Sequence, residues 1–452
     1  MKRISKQIQS IGKYQGSWRS YNTCMIDRSP TSDKHHHSSS SAGNVTTHTI
    51  KGADHKEHMI KNLITFNPTY HGSQEGSSKK TQGSVDLSTV YDFAKQPPSS
   101  ISLKMIMNFG MKLNKQTLLT SSDWLKEELP KRLGRQIRQL DNLPKGLNLM
   151  PSVRLVRDWY MASFNDLYYS KKPKTFEEEL QFTKMLEGVY TRHNPTLISV
   201  AKGVNELKSK MKESIYLSDA NFDLAEFSEL HQALDAFYIN RIGMRMLIGQ
   251  HLALHEQLTK PVKDYSGLIC MNTNPYKVAK DAAEDAAELC RMTYGDAPSI
   301  ELIGKLDLQF PYVPSHLYYI FFELLKNSMR AVVENHQKAK HLPKVRMVIA
   351  DSADKEHISI KISDEGMGIP RKDLHKIWSY LYTTANVMDD VSKIEEFSDS
   401  HAPLAGLGYG LPLSRLYAKY WGGDLTIQSL EGYGTDAYIY LHCLGDKEEP
   451  LP

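Results

Sequence analysis

The period of the apolar positions changes near residue 262. Before it, "DWLKEELPKRLGRQIRQLDNLP" spaces Trp124, Leu125, Leu129, Leu133, Ile137 and Leu140 as one face of an α-helix requires. "SVRLVRDWYMASFNDLYY" repeats that spacing. "FDLAEFSELHQALDAFYINRIGMRMLIGQHLALHE" sustains it without a proline, with Phe227, Leu230, Leu234 and Phe237 on one side. Long helices joined by short breaks over residues 86–262 predict a four-helix bundle. Beyond "TKPVKDYSG" the pattern alternates. Val345, Met347 and Ile349 in "KVRMVIAD", and Ile358, Ile360 and Ile362 in "HISIKIS", mark half-buried strands. "DLTIQS" and "TDAYIYL" alternate likewise near the end. Helical segments at 278–294, 315–338 and 412–421 lie between the strands, which predicts an α/β sandwich over residues 263–452. The expected fold class is α+β, a bundle followed by a sandwich.

Composition narrows the class. With 452 residues the chain has room for about two or three domains. Hydrophobic content of 40% and charged content of 24% are ordinary for a soluble globular protein. A formal charge of +4 is too small to argue for nucleic acid. Cys24, Cys270, Cys290 and Cys443 are widely separated and form no CxxC pair, which argues against a disulfide framework and a zinc site. There is no apolar run of about 18 residues, so no membrane span is expected.

The first 28 residues carry Lys2, Arg3, Lys6, Lys13 and Arg19 with no acid before Asp27, and Ile4, Ile8 and Ile11 share a helical face. That is the profile of an organelle transit peptide and not of a secretory signal, although a solvated basic tail has the same composition. Residues 29–85, rich in Ser, His, Gly, Lys and Thr, read as a flexible linker.

Three stretches carry candidate chemistry. In "ELLKNSMRA" (323–331), Glu323 and Asn327 stand one helical turn apart and project from one side. They are either a solvated edge or a base beside a hard-metal ligand. In "SDEGMG" (363–368), at the end of the "HISIKIS" strand, Asp364 stands beside Gly366 and Gly368. A carboxylate can accept from an exocyclic amine such as that of adenine, but an Asp-Gly turn after a strand is also common. In "GLGYGLPLSR" (406–415), Gly406, Gly408 and Gly410 lead into a helix opened by Pro412. Exposed amides at a helix N-terminus cradle anions. No Gly-Lys-Ser/Thr follows, so it is not a Walker A loop, and no strand feeds it, so it is not a Rossmann fingerprint.

Taken in order, with Thr435 in "GYGTDA" on a last strand, the three resemble the GHKL ATPases, which include histidine kinases, heat-shock chaperones and mismatch-repair ATPases. "VPSHLYYIFFELLKNSMRA", "SYLYTTA", "APLAGLGYGLPLSRLYAKYWGGDL" and "EGYGTDAYIYL" are similar to the mitochondrial protein kinases of 2-oxoacid dehydrogenase complexes, nearest to the pyruvate dehydrogenase kinases. The likeness continues upstream through "EELPKRL", "PSVRLVRDWYMAS", "RHNPTLISVAKGV" and "FYINRIGMRMLIGQH", over roughly residues 95–448.

That resemblance implies a serine kinase of the mitochondrial matrix using ATP with Mg²⁺. Its substrate would be the decarboxylase α subunit of the pyruvate dehydrogenase complex, its dock the lipoyl-bearing acetyltransferase core, and its assembly a homodimer. Glu323 matches the proposed general base and Asn327 the magnesium ligand. Arg330 would sit near the phosphates, and Asp364 would hold adenine beside Gly366, Gly368 and Thr435. Thr383 and Thr384 match a nucleotide-contacting pair, and Gly406, Leu407, Gly408, Tyr409, Gly410 and Leu411 the loop over the phosphates. His193 matches a bundle histidine that, with Tyr160, Ser163 and Arg241, would form a small-anion effector pocket; a satisfied core histidine is the plainer reading.

The chain departs from the family at several points. Tyr319 stands where animal pyruvate dehydrogenase kinases carry a histidine bonded to the catalytic Glu, and the branched-chain kinase has Tyr there. Tyr190 replaces an arginine near the effector pocket, so pyruvate-type inhibition is expected to be weak. The chain stops at Pro452 without the family's long tail and its Asp-Trp pair, so tail exchange is not assumed. "NVMDDVSKIEEFSDSHAPLAG" is acidic and expected to order on nucleotide. Three other readings remain: a branched-chain 2-oxoacid dehydrogenase kinase, a nucleotide-binding scaffold without chemistry, and a two-component histidine kinase, for which neither spans nor a receiver domain are seen.

Overall fold

A computed structural model describes residues 84–215, 227–337, 339–380, 382 and 408–451. The transit-peptide reading, the linker reading up to residue 83, Thr383, Thr384, Gly406, Leu407 and the acidic segment before Gly406 lie outside the described residues. At the linker's end Val85 is buried and its amide donates to Asn165 Oδ1 at 3.1 Å.

The helical half begins with α1 (Leu87–Lys95) and α2 (Leu103–Gly110) and continues into α3 (Lys115–Asp141). Asn114 caps α3 by accepting from the Thr117 amide at 2.9 Å. Then come α4 (Pro151–Tyr169), α5 (Phe176–Arg192), α6 (Thr196–Ile215) and α7 (Ser228–Thr259). Thr175 and Glu178 form a reciprocal capping box at the start of α5. The bundle has four arms, but the third is broken: α5 ends at His193 and α6 resumes after Pro195, which cannot donate to a continuing helix. α7 is buried along nearly its whole length, from Leu230 to Leu254, against α3 and α5. α1 and α2 were not resolved in the sequence reading, because each is too short to show more than two turns of period.

Next come β1 (Tyr265–Ser266), β2 (Ile269–Thr273), α8 (Pro275–Tyr294), β3 (Ile300–Gly304), β4 (Phe310–Tyr312), α9 (Pro314–Asn335), β5 (Val345–Asp351) and β6 (His357–Asp364). The described chain closes with α10 (Gly410–Tyr420), β7 (Asp424–Leu430) and β8 (Gly434–His442). A five-stranded sheet runs β3-β5-β6-β8-β7, with β3 parallel to β5 and the other pairs antiparallel. β1, β2 and β4 make a small antiparallel sheet. Those three strands and β3 escape a periodicity reading, since they are short and their pairing is nonlocal. Across the large sheet Ile360 pairs with Ile349 on one side and Ile439 on the other, and all three are buried. α8, α9 and α10 cover that apolar face; α9 enters with Pro314 at its first position and buries Leu317, Phe321, Leu325 and Met329.

No helix among the described residues is long and apolar enough to cross a membrane. The end of the described chain ties the two halves together. The stretch 445–449 lies against 101–104, with the Lys104 amide donating to the Gly445 carbonyl at 2.8 Å and the Glu449 amide to that of Ile101 at 2.8 Å.

Candidate nucleotide site

β6 alternates Ile358, Ile360 and Ile362 onto the helix-covered face, and the next inward position is Asp364. A carboxylate therefore arrives where an apolar residue would pack, 7% exposed. Its Oδ1 accepts from the Gly366 amide at 3.0 Å and the Thr435 amide at 3.3 Å. Burial pushes the Asp364 carboxyl above its ordinary range, and the Gly366 amide, the Ser328 hydroxyl and the Thr435 amide oppose that rise. The following turn holds Met367 and Gly368 at φ 67° and 69°. A Cβ at Gly368 would collide with the Leu430 carbonyl, so only glycine fits there.

α9 crosses above this turn. Glu323, 2% exposed, receives the Lys326 ammonium at 2.7 Å on each carboxylate oxygen. Asn327 stands one turn on, exposed in the cleft, and no described residue hydrogen-bonds its side chain. An uncommitted amide oxygen fits a hard divalent cation that takes most of its ligands from phosphate and water. Arg330 bonds Glu334 at 2.9 Å through Nε. The Tyr319 hydroxyl, one turn before Glu323, is buried without a hydrogen-bond partner among the described residues, and its ionisation is pushed far up by burial and by the Glu323 charge.

The third wall is the start of α10. Gly408 adopts φ 73°, Tyr409 caps the helix, and Gly410 lies directly against Glu323, where a Cβ would strike Oε2. The positive end of the helix dipole and Lys326 thus both face one buried carboxylate. These segments enclose a cleft of about 270 Å³, lined among others by Glu323, Asn327, Asp364, Gly408, Gly410 and Thr435. Arg330, Gly366, Gly368 and Leu411 line it as well, while Tyr409 is turned into the core. Lys326 and Ser328 line it too and were missed from sequence, although Lys326 follows Glu323 at the i,i+3 spacing that brings side chains together.

The bundle histidine lies elsewhere. His193 is 3% exposed, stacked on Tyr160 at 4.2 Å, with Nε2 2.9 Å from the Ser163 hydroxyl. Arg192 also donates to Ser163, at 2.7 Å. Burial, then Arg192, Arg241 and Arg245, depress the His193 imidazole to about 3, so it is neutral at physiological pH. Arg241 is buried, with no partner for its Nε among the described residues, and burial and Arg245 lower its pKa. Tyr190 lies under the Arg245 guanidinium at 3.9 Å.

A family model described as mitochondrial branched-chain alpha-ketoacid dehydrogenase kinase matches residues 100–270, and one described as histidine kinase-, DNA gyrase B-, and HSP90-like ATPase matches residues 312–444. A mitochondrial [pyruvate dehydrogenase (acetyl-transferring)] kinase of Arabidopsis thaliana is 43% identical over 369 residues, covering 81% of this chain and 96% of its own length. Isozyme 3 of Homo sapiens is 40% identical over 371 residues, covering 80% and 87%. The Schizosaccharomyces pombe kinase is 35% identical over 414 residues, covering 79% and 96%.

Proposed function

The chain belongs to the mitochondrial pyruvate dehydrogenase (acetyl-transferring) kinase family, and from that premise we propose how its cleft works and on what it acts. It is an ATP-dependent mitochondrial protein kinase with the pyruvate dehydrogenase complex as its partner. The reaction moves the terminal phosphoryl group of ATP to a serine hydroxyl of the decarboxylase α subunit. The added charge inactivates that subunit and so restrains oxidation of pyruvate to acetyl-CoA.

In this reading adenine seats on Asp364, its exocyclic amine donating to the carboxylate. The triphosphate runs toward Asn327 and the first turn of α10, with Arg330 beside it. Asn327 would hold Mg²⁺ through its amide oxygen, and the ion would supply charge neutralisation at the phosphates. Glu323 takes the serine proton as the hydroxyl oxygen bonds to phosphorus and the ADP oxygen departs. Tyr319 offers Glu323 no described hydrogen bond, so Lys326 and the α10 terminus hold the base. Residues 86–262 serve as the regulatory domain and 263–452 as the ATP-binding domain. Tyr160, Ser163, His193 and Arg241 form a small-anion pocket in the bundle. We place the homodimer in the matrix, docked on the lipoyl-bearing core.

The observation that carries this reading is the convergence of a buried base, an uncommitted amide and a buried carboxylate on one cleft. Buried, neutral His193, stacked and hydrogen-bonded, is no phosphate acceptor. A branched-chain substrate is favoured by the helical-domain match and by Tyr319. Incubation with labelled ATP and each dehydrogenase complex decides: label on the pyruvate decarboxylase α subunit supports the reading, and label confined to the branched-chain subunit rejects it.

A further inference from the structure

The cleft wall that leads into α10 is seated on the bundle through one carboxylate. Asp235 of α7 accepts from the Tyr380 hydroxyl at 2.5 Å. His231, one turn earlier on α7, accepts from the Tyr380 amide through Nδ1 at 3.3 Å. Both the side chain and the backbone of Tyr380 are therefore fixed by the other half of the molecule. Tyr380 is 1% exposed and packs on Tyr238 of α7 at 5.3 Å and on Tyr409 at 5.1 Å. Tyr409 in turn meets Tyr238 edge-on at 6.0 Å. The residue after Tyr409 is Gly410, which touches Glu323. Ile377, three residues before Tyr380, and Tyr382, two after it, both line the cleft.

Trp378 reinforces the same seat by packing under the Arg415 guanidinium of α10 at 4.6 Å. Around Asp235 stand His231 on its own helix and Lys419 and Arg415 on α10, with Tyr380 opposite. A carboxylate so enclosed is desolvated, and its bond to the hydroxyl is a charge-assisted one.

We propose that Asp235 is a positioning residue for the nucleotide site: through Tyr380 and Tyr409 it sets the wall of the cleft and the start of α10 against Glu323. The helical domain is then a structural part of the ATP site. The inference rests on the reading of the cleft as that site.

The test compares ATP affinity, KM for ATP, kcat and thermal unfolding of the full chain across variants. Y380F removes one hydroxyl, and D235A removes its acceptor. Each weakens ATP about tenfold, the worth of one hydrogen bond to a charged acceptor, while kcat at saturating ATP stays within about twofold. D235N keeps an oxygen acceptor and restores most of the affinity. Y91F breaks a like bond, Tyr91 to Asp141 at 2.8 Å, that involves no cleft residue; it lowers stability and leaves the KM for ATP unchanged. ATP affinity unchanged in Y380F overturns the proposal, as does an equal loss in Y91F. Should D235A not fold, Y380F decides alone. Wild-type binding of ATP, weakened about 10²-fold in D364A, checks the cleft itself, so a failure there is distinct from a failure of Asp235.

Discussion

Lys326 sets its ammonium 2.7 Å from both oxygens of Glu323, with the two side chains 14% and 2% exposed. The pair closes off the carboxylate that should receive a proton. An incoming triphosphate offers the ammonium a second anion, and turning toward it frees one carboxylate oxygen for the serine hydroxyl. On the proposed reading Lys326 would have two tasks, to stabilise Glu323 at rest and to neutralise charge on the transferred group.

This relationship separates two substitutions. E323Q keeps the shape of the cleft and removes the base, so ATP binding stays near wild type and phosphoryl transfer is nearly lost. K326M leaves the base but strands it as a buried charge, and transfer drops about 10²-fold with a weaker effect on ATP affinity. Single-turnover transfer alongside nucleotide titration distinguishes them. Full activity in E323Q would falsify the base assignment.

In the proposed reading, Asn327 and Asp364 serve the nucleotide in different ways. N327A removes the uncommitted amide, so affinity for ATP in the presence of Mg²⁺ collapses while affinity without the metal barely changes. A metal-independent loss contradicts the ligand role. D364A weakens both ATP and ADP by about 10²-fold, the scale for a hydrogen bond to a charged acceptor.

The pKa of Asp364 adds a sign. The folded carboxyl titrates above its ordinary 3.8 because it is buried. The stability it contributes to the nucleotide-free protein is present below that ordinary value and is lost as pH rises through the raised one. At neutral pH the ionised group costs stability, so D364N raises the melting temperature of the free protein even as it weakens ATP. Wild-type affinity for ATP declines as pH falls through the raised pKa, and D364N flattens that limb. A D364N protein that melts lower than wild type contradicts the sign.

Much of this site is legible in the sequence because it is local. Glu323 and Asn327 are related by one helical turn, and Asp364 by strand alternation from Ile358, Ile360 and Ile362. The Asp235–Tyr380 bond joins residues 145 positions apart, and no periodicity marks it. β3 hides for a related reason: its five residues are held by parallel pairing to β5 and carry no alternation. The third arm of the bundle breaks at "RHNP", where the proline cannot donate to a continuing helix. Lys326 was within reach, one step from a residue already singled out, but a lysine on a helix reads first as a solvated one.

Glu179 makes the bundle acid-sensitive. Its side chain is fully buried, and Oε1 accepts from Thr183 at 2.8 Å and His255 at 3.1 Å, with His251 at 3.4 Å. Burial alone would raise its pKa, but the hydrogen bonds from His251, His255 and Thr183 win and hold it at about 2 against an ordinary 4.5. A depressed folded pKa contributes stability above the unfolded value, lost as pH falls through the folded one. Chemical denaturation repeated from pH 6 downward should show stability falling between about 4.5 and 2. E179Q costs about 1–3 kcal/mol at neutral pH and shows a shallower fall across that window. An unchanged acid limb in E179Q removes Glu179 from the account.

The tie between the halves is a buried ion pair. Arg132 of α3 donates to Glu449 through both terminal nitrogens, at 3.0 and 2.5 Å, and through Nε to Glu128 at 2.9 Å. Arg132 and Glu449 side chains are each 1% exposed, and Tyr420 at the end of α10 also donates to Glu449, at 2.5 Å. With so little water near, a lone partner is worse than none. R132M leaves Glu449 buried without its cation, while Glu128 keeps Lys131 at 3.5 Å, and should cost about 3–5 kcal/mol. E449Q costs less, because the amide still accepts from Arg132 and Tyr420. In the R132M background E449Q should recover part of the loss by removing one stranded charge, a coupling that a double-mutant cycle in urea measures directly. Strictly additive losses would mean that Arg132 and Glu449 contribute as separate packing residues. The ion pair would then not hold the end of α10 to the bundle.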